Sequence, residues 1–150
     1  MRKLGILALV VAGLAGCALT GPYGNFLDGT SVSINETLAA DTMKQLVVLY
    51  PPASTRFDLG QSTLDAYGTA LVQSLRDKGY AILEFDQKTP VKPDTTPGAG
   101  PGLRLRYVLD APAGTNLFRV TVLVGSKSLS RAYVEQNNTV FPAGVWALRE

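Results

Sequence analysis

Histidine is absent from this sequence of 150 residues, and Cys17 is its only cysteine. An intrachain disulfide bond therefore cannot form, and metal sites built on histidine are excluded. The same absence excludes Ser-His-Asp triads and Cys-His dyads, because both use histidine as the base. The carboxylates lie on separate predicted elements, and no motif organises the serines, lysines or tyrosines. We therefore predict no catalytic residue, no metal site and no enzymatic activity.

The sequence also has no apolar run long enough to cross a membrane. Its longest apolar stretch near the start, Leu4–Leu14, has eleven residues, whereas a helix needs roughly twenty to span a bilayer about 30 Å thick. Arg2 and Lys3 precede this stretch, and small residues follow it. This order is typical of a secretory signal peptide, which we predict over residues 1–16.

The residues that follow the apolar stretch, Leu14, Ala15, Gly16 and Cys17, resemble the lipobox of bacterial lipoproteins. Small residues let a peptidase reach the backbone, and a thiolate is the best side-chain nucleophile for accepting a diacylglyceryl group as a thioether. The resemblance implies cleavage before Cys17 and acylation of the new amine, so that Cys17 carries covalent lipid and no separate cofactor is expected. The alternative is an ordinary secretory signal, or a buried N-terminal helix, in which Cys17 is incidental.

The position after the cysteine bears on localisation. It is occupied by Ala18, whereas an aspartate there retains such lipoproteins in the inner membrane. The resemblance therefore favours the periplasmic face of the outer membrane of a Gram-negative cell. One acyl chain binds a membrane only marginally, whereas the three implied chains hold the protein permanently.

The net charge of the chain does not indicate a further partner. Loss of Arg2 and Lys3 with the signal peptide lowers the fourteen basic residues to twelve, which equals the number of acidic residues. A nearly neutral chain gives no reason to expect a nucleic-acid partner, and no motif indicates a small-molecule substrate.

The remaining chain is predicted to consist of a tether and one domain. Residues 17–32 are expected to be a lipidated tether, because glycine and proline interrupt any periodic pattern. Tyr23, Phe26 and Leu27 within it are either ordinary tether residues or contacts for a partner. Residues 33–150 are predicted to form a single α+β domain.

Two helices are predicted in this domain. Ser33 as N-cap with Glu36 at the third helical position fits a capping box, and Pro51 ends this helix. The second helix begins at about Thr63 and ends before Gly79, a favourable C-terminal cap. Four residues of the second helix are predicted to share its buried face: Leu64, Tyr67, Leu71 and Leu75.

Alternating apolar residues predict strands at 55–59, 80–85, 103–109, 117–124, 127–134 and 140–148. Pro142 and Gly144 weaken the last one. Residues 86–102 are rich in proline and glycine and are predicted to form a long loop. Gly125 and Ser126 are predicted to form a hairpin turn, not a phosphate-binding loop. The element order predicts two helices packed on one face of a mostly antiparallel sheet of four to six strands.

Arginines supply one candidate surface for binding. Arg104 and Arg106 share one face of a predicted strand, and Arg119 and Arg131 are expected to join them from neighbouring strands. Such a stripe would bind an anionic partner. The alternative is a solvated sheet face, on which arginine protects strand edges. Aromatic residues that stack on bases are missing from the pattern, which again disfavours nucleic acid.

After the lipobox, eight segments in a fixed order carry a family resemblance: Gly21-Pro22-Tyr23-Gly24-Asn25-Phe26, Lys44-Gln45-Leu46, Leu49–Phe57, Leu75-Arg76, Lys78-Gly79-Tyr80, Leu105-Arg106-Tyr107-Val108, Arg119–Ser126 and Ser130-Arg131-Ala132-Tyr133. Together they resemble the TrbH family, the lipoprotein of plasmid conjugal transfer operons. The resemblance extends over nearly the whole chain.

This resemblance implies a structural component of a conjugative type IV secretion system that acts through partners and not by catalysis. We expect it to dock to other mating-pair formation subunits through the strand edge of Lys127–Val134, by β-augmentation. Two alternatives stay open. One is a periplasmic module that binds a lipid, a glycan or another anionic ligand, and the other is surface exclusion between donor cells.

Overall fold

A computed structural model describes residues 21–88 and 101–150. The predicted signal peptide, the lipobox with Cys17, and most of the predicted loop at 86–102 lie outside the described residues. Within the described ranges, no helix combines the length and the apolar character that crossing a membrane requires.

The described residues form two α-helices, one short 3₁₀ helix at Pro52–Ser54 and eight strands. The helices are α1 (Val32–Leu49) and α2 (Ala66–Asp77). The strands are β1 (Gly24–Asn25), β2 (Arg56–Leu59), β3 (Ala81–Leu83), β4 (Leu103–Asp110), β5 (Leu117–Val124), β6 (Lys127–Gln136), β7 (Thr139–Pro142) and β8 (Ala147–Arg149).

All eight strands belong to one sheet. Six of them follow one another in the order β3-β2-β4-β5-β6-β7, and β1 and β8 are attached beside β4 and β6. Strand β1 runs parallel to the C-terminal half of β4, and β8 runs antiparallel to the N-terminal half of β6. The long pairings, β4 with β5 and β5 with β6, are antiparallel. The predicted α+β class is therefore confirmed, although the strands number eight where four to six were expected.

Two features account for the additional strands. The single strand predicted at 140–148 is divided into β7 and β8 by Ala143–Trp146. Pro142, which has no N–H to donate to a ladder, ends the first of these pieces. The other addition, β1, has no alternating apolar pattern and forms because β4 offers a partner at that edge.

Both helices lie on one face of the sheet and enclose the core. The strands contribute alternate residues, which include Phe57, Leu105, Tyr107, Val122 and Leu129. The helices contribute residues at helical spacing, which include Leu38, Leu46, Tyr67, Leu71 and Leu75. We call the opposite side of the sheet, which these helices do not cover, the open face.

Helix α1 begins earlier than predicted. Ser31 is its N-cap, in an extended conformation, and its Oγ accepts the N–H of Ile34 at 3.3 Å. The predicted cap, Ser33, is therefore wrong and lies inside the helix. The buried Asn35 explains the earlier start, because its Nδ2 donates to the Ser31 carbonyl at 2.9 Å and its Oδ1 accepts from Asn25 at 2.7 Å.

Helix α2 begins later than predicted, with Asp65 as its N-cap. Its Oδ1 accepts the N–H of Gly68 at 3.0 Å. Leu64 therefore precedes the helix and is 92% exposed, so its predicted place on the buried face is wrong. The predicted end is confirmed, because Gly79 follows the helix with φ of +83°, a conformation that favours glycine.

Candidate functional site: the open face of the sheet

The open face carries an excess of positive charge. Its strand positions hold five arginines and two aspartates: Arg56, Arg104, Arg106, Arg119, Arg149, Asp58 and Asp110. Three positive charges are therefore unbalanced among these strand positions. These residues are on the open face because they alternate with the buried core positions, which point toward the helices.

Arg104 and Arg106 lie side by side along β4, as predicted. Gly60, at the end of β2, makes room for them, because a Cβ atom there would overlap the Cγ atoms of both arginines. The N–H of Gly60 also donates to the carbonyl of Leu105 at 2.8 Å. The aliphatic parts of the two arginines therefore cross the end of β2 at a position that only glycine fits.

Arg106 also holds the N-terminal segment. Its guanidinium carbon lies 4.4 Å from the ring centroid of Tyr23, and its Nη1 donates to the Tyr23 hydroxyl at 2.7 Å. Four residues later Leu27 is buried in the core, and between them the N–H of Phe26 donates to the carbonyl of Leu109 at 2.8 Å. Residues 23–27, within the expected tether, are thus attached to the sheet beside the open face.

Arg119 lies on the same face but at a distance from Arg104 and Arg106. It is directly opposite Asp110, and its Nε donates to Oδ1 at 2.9 Å while its Nη2 donates to Oδ2. This hydrogen bonding to Asp110 raises the pKa of the guanidinium. Arg106 is opposite Leu123, four residues further along β5, which is about 13 Å at the rise of a strand.

The fourth predicted member, Arg131, is not on this face, so its expected place among the other arginines is wrong. It is opposite Val120, a core residue, and therefore points toward the helices. Its Nη1 donates to Asp41 of α1 at 2.7 Å, and its Nε donates to the carbonyl of Gly144 at 2.7 Å. The sequence contained the signal, because Arg131 has the same strand parity as Leu129 and Tyr133.

A depression that sequence reasoning missed lies between β5, β6 and β8. Its volume is about 350 Å³, and it is lined by Arg119, Thr121, Ser128, Ser130, Ala147, Leu148 and Arg149. Thr121 is opposite Ser130, and Ser128 is opposite Arg149. The alternation of Ser128 and Ser130 is visible in the sequence, but the pairing of β8 that brings Arg149 beside them is not.

The strand edge that was expected to dock to a partner is not free in the structure. Lys127–Val134 is part of β6, which pairs with β5 on one side and with β7 and β8 on the other. The prediction of β-augmentation there is therefore wrong, since both edges are occupied. Among the described strands, β3 and β7 stand at the two ends of the strand order, and each has an unpaired outer edge.

Large apolar side chains lie exposed near the edge of β3. Leu83 is at the end of β3 with 38% of its surface exposed, and Leu64 precedes α2. Leu64 lines a depression of about 280 Å³ together with Phe85 and Glu84, which follow β3. Exposed apolar side chains therefore lie near the C-terminal end of β3, whose outer edge has free backbone groups.

Guanidinium groups and hydroxyls on the open face are suited to anions. No group of three or more carboxylates or thiols able to hold a metal ion is found within residues 21–88 and 101–150.

Comparison with known proteins gives one match. A family model described as "Conjugal transfer protein TrbH" matches residues 20–150. The search of curated proteins and the search of solved structures each return no match.

Proposed function

The chain belongs to the TrbH family of conjugal transfer proteins, and we propose that it is a structural lipoprotein of a conjugative type IV secretion apparatus. In this proposal acyl chains on Cys17 anchor it to the periplasmic face of the outer membrane. The folded domain then binds other transfer subunits and helps to assemble or stabilise the channel. It performs no catalysis.

The attachment of the N-terminal segment to the sheet supports the proposal that the domain is anchored at the membrane. Arg106 holds Tyr23, only six residues after Cys17. Six residues span at most about 20 Å even when fully extended. Lipid on Cys17 would therefore hold the domain close to the bilayer.

The outer edge of β3 supports the partner-binding part. Free edges accept an additional strand from another chain through main-chain hydrogen bonds, and side-chain contacts supply specificity. Leu83 at the end of β3, and Leu64 beside the residues that follow β3, offer such contacts. The proposed occupant is an extended segment of another transfer-channel subunit.

Replacing Cys17 tests the anchor. Cells that produce the native chain or Cys17→Ser are labelled with radioactive palmitate and fractionated, and plasmid transfer is measured in the same strains. We expect label, outer-membrane location and efficient transfer to be lost together in the variant. A Cys17→Ser protein that still reaches the membrane and supports full transfer would exclude this role for the lipid.

A pair of surface variants tests the docking edge. Leu64→Asp places a charge beside β3, whereas Val145→Asp places one at a similarly exposed apolar residue between β7 and β8. We expect Leu64→Asp to abolish co-purification with channel subunits under gentle extraction and to reduce transfer. Val145→Asp should do neither. Equal behaviour of the two variants would rule out docking at β3.

The depression on the open face favours a second function, the binding of an anionic ligand. Its guanidinium and hydroxyl groups are hydrogen-bond donors, which suit the oxygen atoms of an anion. Titration of the protein with lipids and with glycan strands distinguishes this function from purely structural assembly.

A further inference from the structure

The depression between β5, β6 and β8 has the composition of an oxyanion site. We infer that it binds the phosphate group of an anionic phospholipid headgroup. This inference rests on the proposed anchoring at Cys17, and it specifies that the open face is the side of the domain that lies on the bilayer.

Three hydroxyls form the floor of the site. Thr121 on β5 is directly opposite Ser130 on β6, and Ser128 is two residues earlier on the same strand. All three side chains are half-buried, and within residues 21–88 and 101–150 none of them has a hydrogen-bond partner. Each hydroxyl is therefore free to donate to an oxygen atom of a bound phosphate.

Two guanidinium groups flank these hydroxyls. Arg149 on β8 is opposite Ser128, is exposed, and forms no ion pair with any described residue. Arg119 uses its Nε and Nη2 to bind Asp110, which leaves Nη1 for a ligand. Asp110 balances the charge of Arg119, so Arg149 supplies the net positive charge of the site. Arginine is well suited to phosphate because its planar fork matches the phosphate oxygens.

The shape of the depression fits more than a bare ion. Its volume of about 350 Å³ lies at the lower end of the range for small-molecule sites. Ala147 and Leu148 form an apolar part of its lining. A phosphate on the polar floor would leave this wall in contact with the glycerol and the first carbons of a lipid.

The position of the N-terminal segment favours a lipid over a soluble phosphate. Tyr23 lies beside β4 on the open face, and β5 is the next strand across the sheet. With strands about 4.8 Å apart, the depression begins about 10 Å from the point where the chain reaches the sheet. Cys17 lies at most about 20 Å further along the chain. The lipid on Cys17 and the depression can therefore contact the same membrane surface.

Calorimetric titration of the mature lipoprotein in non-ionic detergent micelles tests the inference. The ligands are dihexanoyl-phosphatidylglycerol, dihexanoyl-phosphatidylcholine and inorganic phosphate. We expect phosphatidylglycerol to bind most tightly, and Arg149→Gln to weaken it about tenfold, since it removes charge-assisted hydrogen bonds. Combined Ser128→Ala and Ser130→Ala substitutions should weaken it as well.

Arg104→Gln is the matched control, because Arg104 lies on the open face outside the depression. It should leave the affinity for phosphatidylglycerol within about twofold, well under the effect of losing a charged hydrogen bond. Equal losses in Arg104→Gln and Arg149→Gln would overturn the inference, because they would indicate general surface charge. Tighter binding of inorganic phosphate, or no binding of any ligand, would overturn it too.

This experiment separates the inference from the proposed function. A protein that is acylated and co-purifies with channel subunits but does not bind phosphatidylglycerol refutes the inference alone. A protein that is not acylated at Cys17, yet binds phosphatidylglycerol through Arg149, supports the site and refutes the anchoring alone.

Discussion

The hydroxyl of Tyr107, in the middle of β4, donates a hydrogen bond to the carboxylate of Asp65, the residue that caps α2. The same carboxylate accepts the N–H of Gly68 at 3.0 Å. A Cβ atom on Gly68 would overlap the Tyr107 oxygen. The start of α2 and its packing against β4 at Gly68 therefore depend on each other.

Gly68→Ala should destabilise the protein in spite of the better helix propensity of alanine. Replacing a helical glycine gains up to about 1 kcal/mol, but overpacking in a core costs about 1–3 kcal/mol, and the added methyl group meets both Tyr107 and the backbone of Thr63. Urea unfolding measures the net change. Adding Tyr107→Phe should restore part of the loss, and a Gly68→Ala protein more stable than the native one would contradict this packing.

Alkaline pH should unfold the protein through its buried tyrosines. Burial is the largest cause that raises the pKa of Tyr67, Tyr107 and Tyr133 above the ordinary value for tyrosine. Because the folded pKa is raised, the stability is fully present below the unfolded pKa of about 10 and is lost as the pH rises above it.

Urea unfolding at a series of pH values between about 8 and 11.5 tests this dependence. The free energy of unfolding should be nearly constant up to about pH 10 and then fall. Tyr67→Phe removes one of the ionising groups, so its curve should fall less steeply. Parallel curves for the two proteins would show that Tyr67 does not contribute.

Asp41 should matter far more to stability than Asp110, although each pairs with an arginine. Asp41 accepts from both Arg131 and Tyr133 at 2.7 Å, and it and Arg131 are each only 19% exposed. Asp41→Ala removes the acceptor of the Tyr133 hydroxyl and of Nη1 of Arg131, and it should cost about 2 kcal/mol although Nε of Arg131 keeps its bond to Gly144.

The pair of Asp110 with Arg119 is the control, because those side chains are 32% and 54% exposed. Asp110→Ala should lower the free energy of unfolding by less than about 1 kcal/mol, as for other surface ion pairs. Similar losses in the two variants would contradict a structural role for the Arg131 contacts.

Local patterns predicted those elements that carry their own signals. Strand β5 matches its predicted range, because its apolar residues alternate without interruption and Gly125, with φ of +60°, begins the next turn. Helix α1 ends where Pro51 follows. Its beginning was misplaced because Ser33 with Glu36 fits a capping box in sequence, whereas the buried contacts of Asn35 favour Ser31 as the N-cap.

The features that the sequence did not predict depend on the pairing of strands that are distant in the chain. Two residues such as those of β1 have no periodicity, and they form a strand only because β4 provides donors and acceptors. The position of Arg149 follows from the pairing of β8 with β6, across a break of four residues. The candidate site therefore could be predicted as an arginine face, but its hydroxyl floor could not.

Tyr23→Ala should release the N-terminal segment while leaving the domain folded. The variant loses the cation–π contact and the hydrogen bond with Arg106, so we expect a decrease in global stability of about 0.5–1 kcal/mol. The local effect should be larger. Hydrogen exchange of the Phe26 amide, now protected by its bond to Leu109, should accelerate.

Phe141→Ala is the control, because Phe141 is another half-exposed aromatic residue, on β7 at the far side of the sheet. It should leave exchange of the Phe26 amide unchanged. If close attachment of the domain to the membrane matters for conjugation, Tyr23→Ala should reduce plasmid transfer and Phe141→Ala should not, because only the first lengthens the free chain after Cys17. Faster exchange with undiminished transfer would mean that the anchor needs no fixed distance.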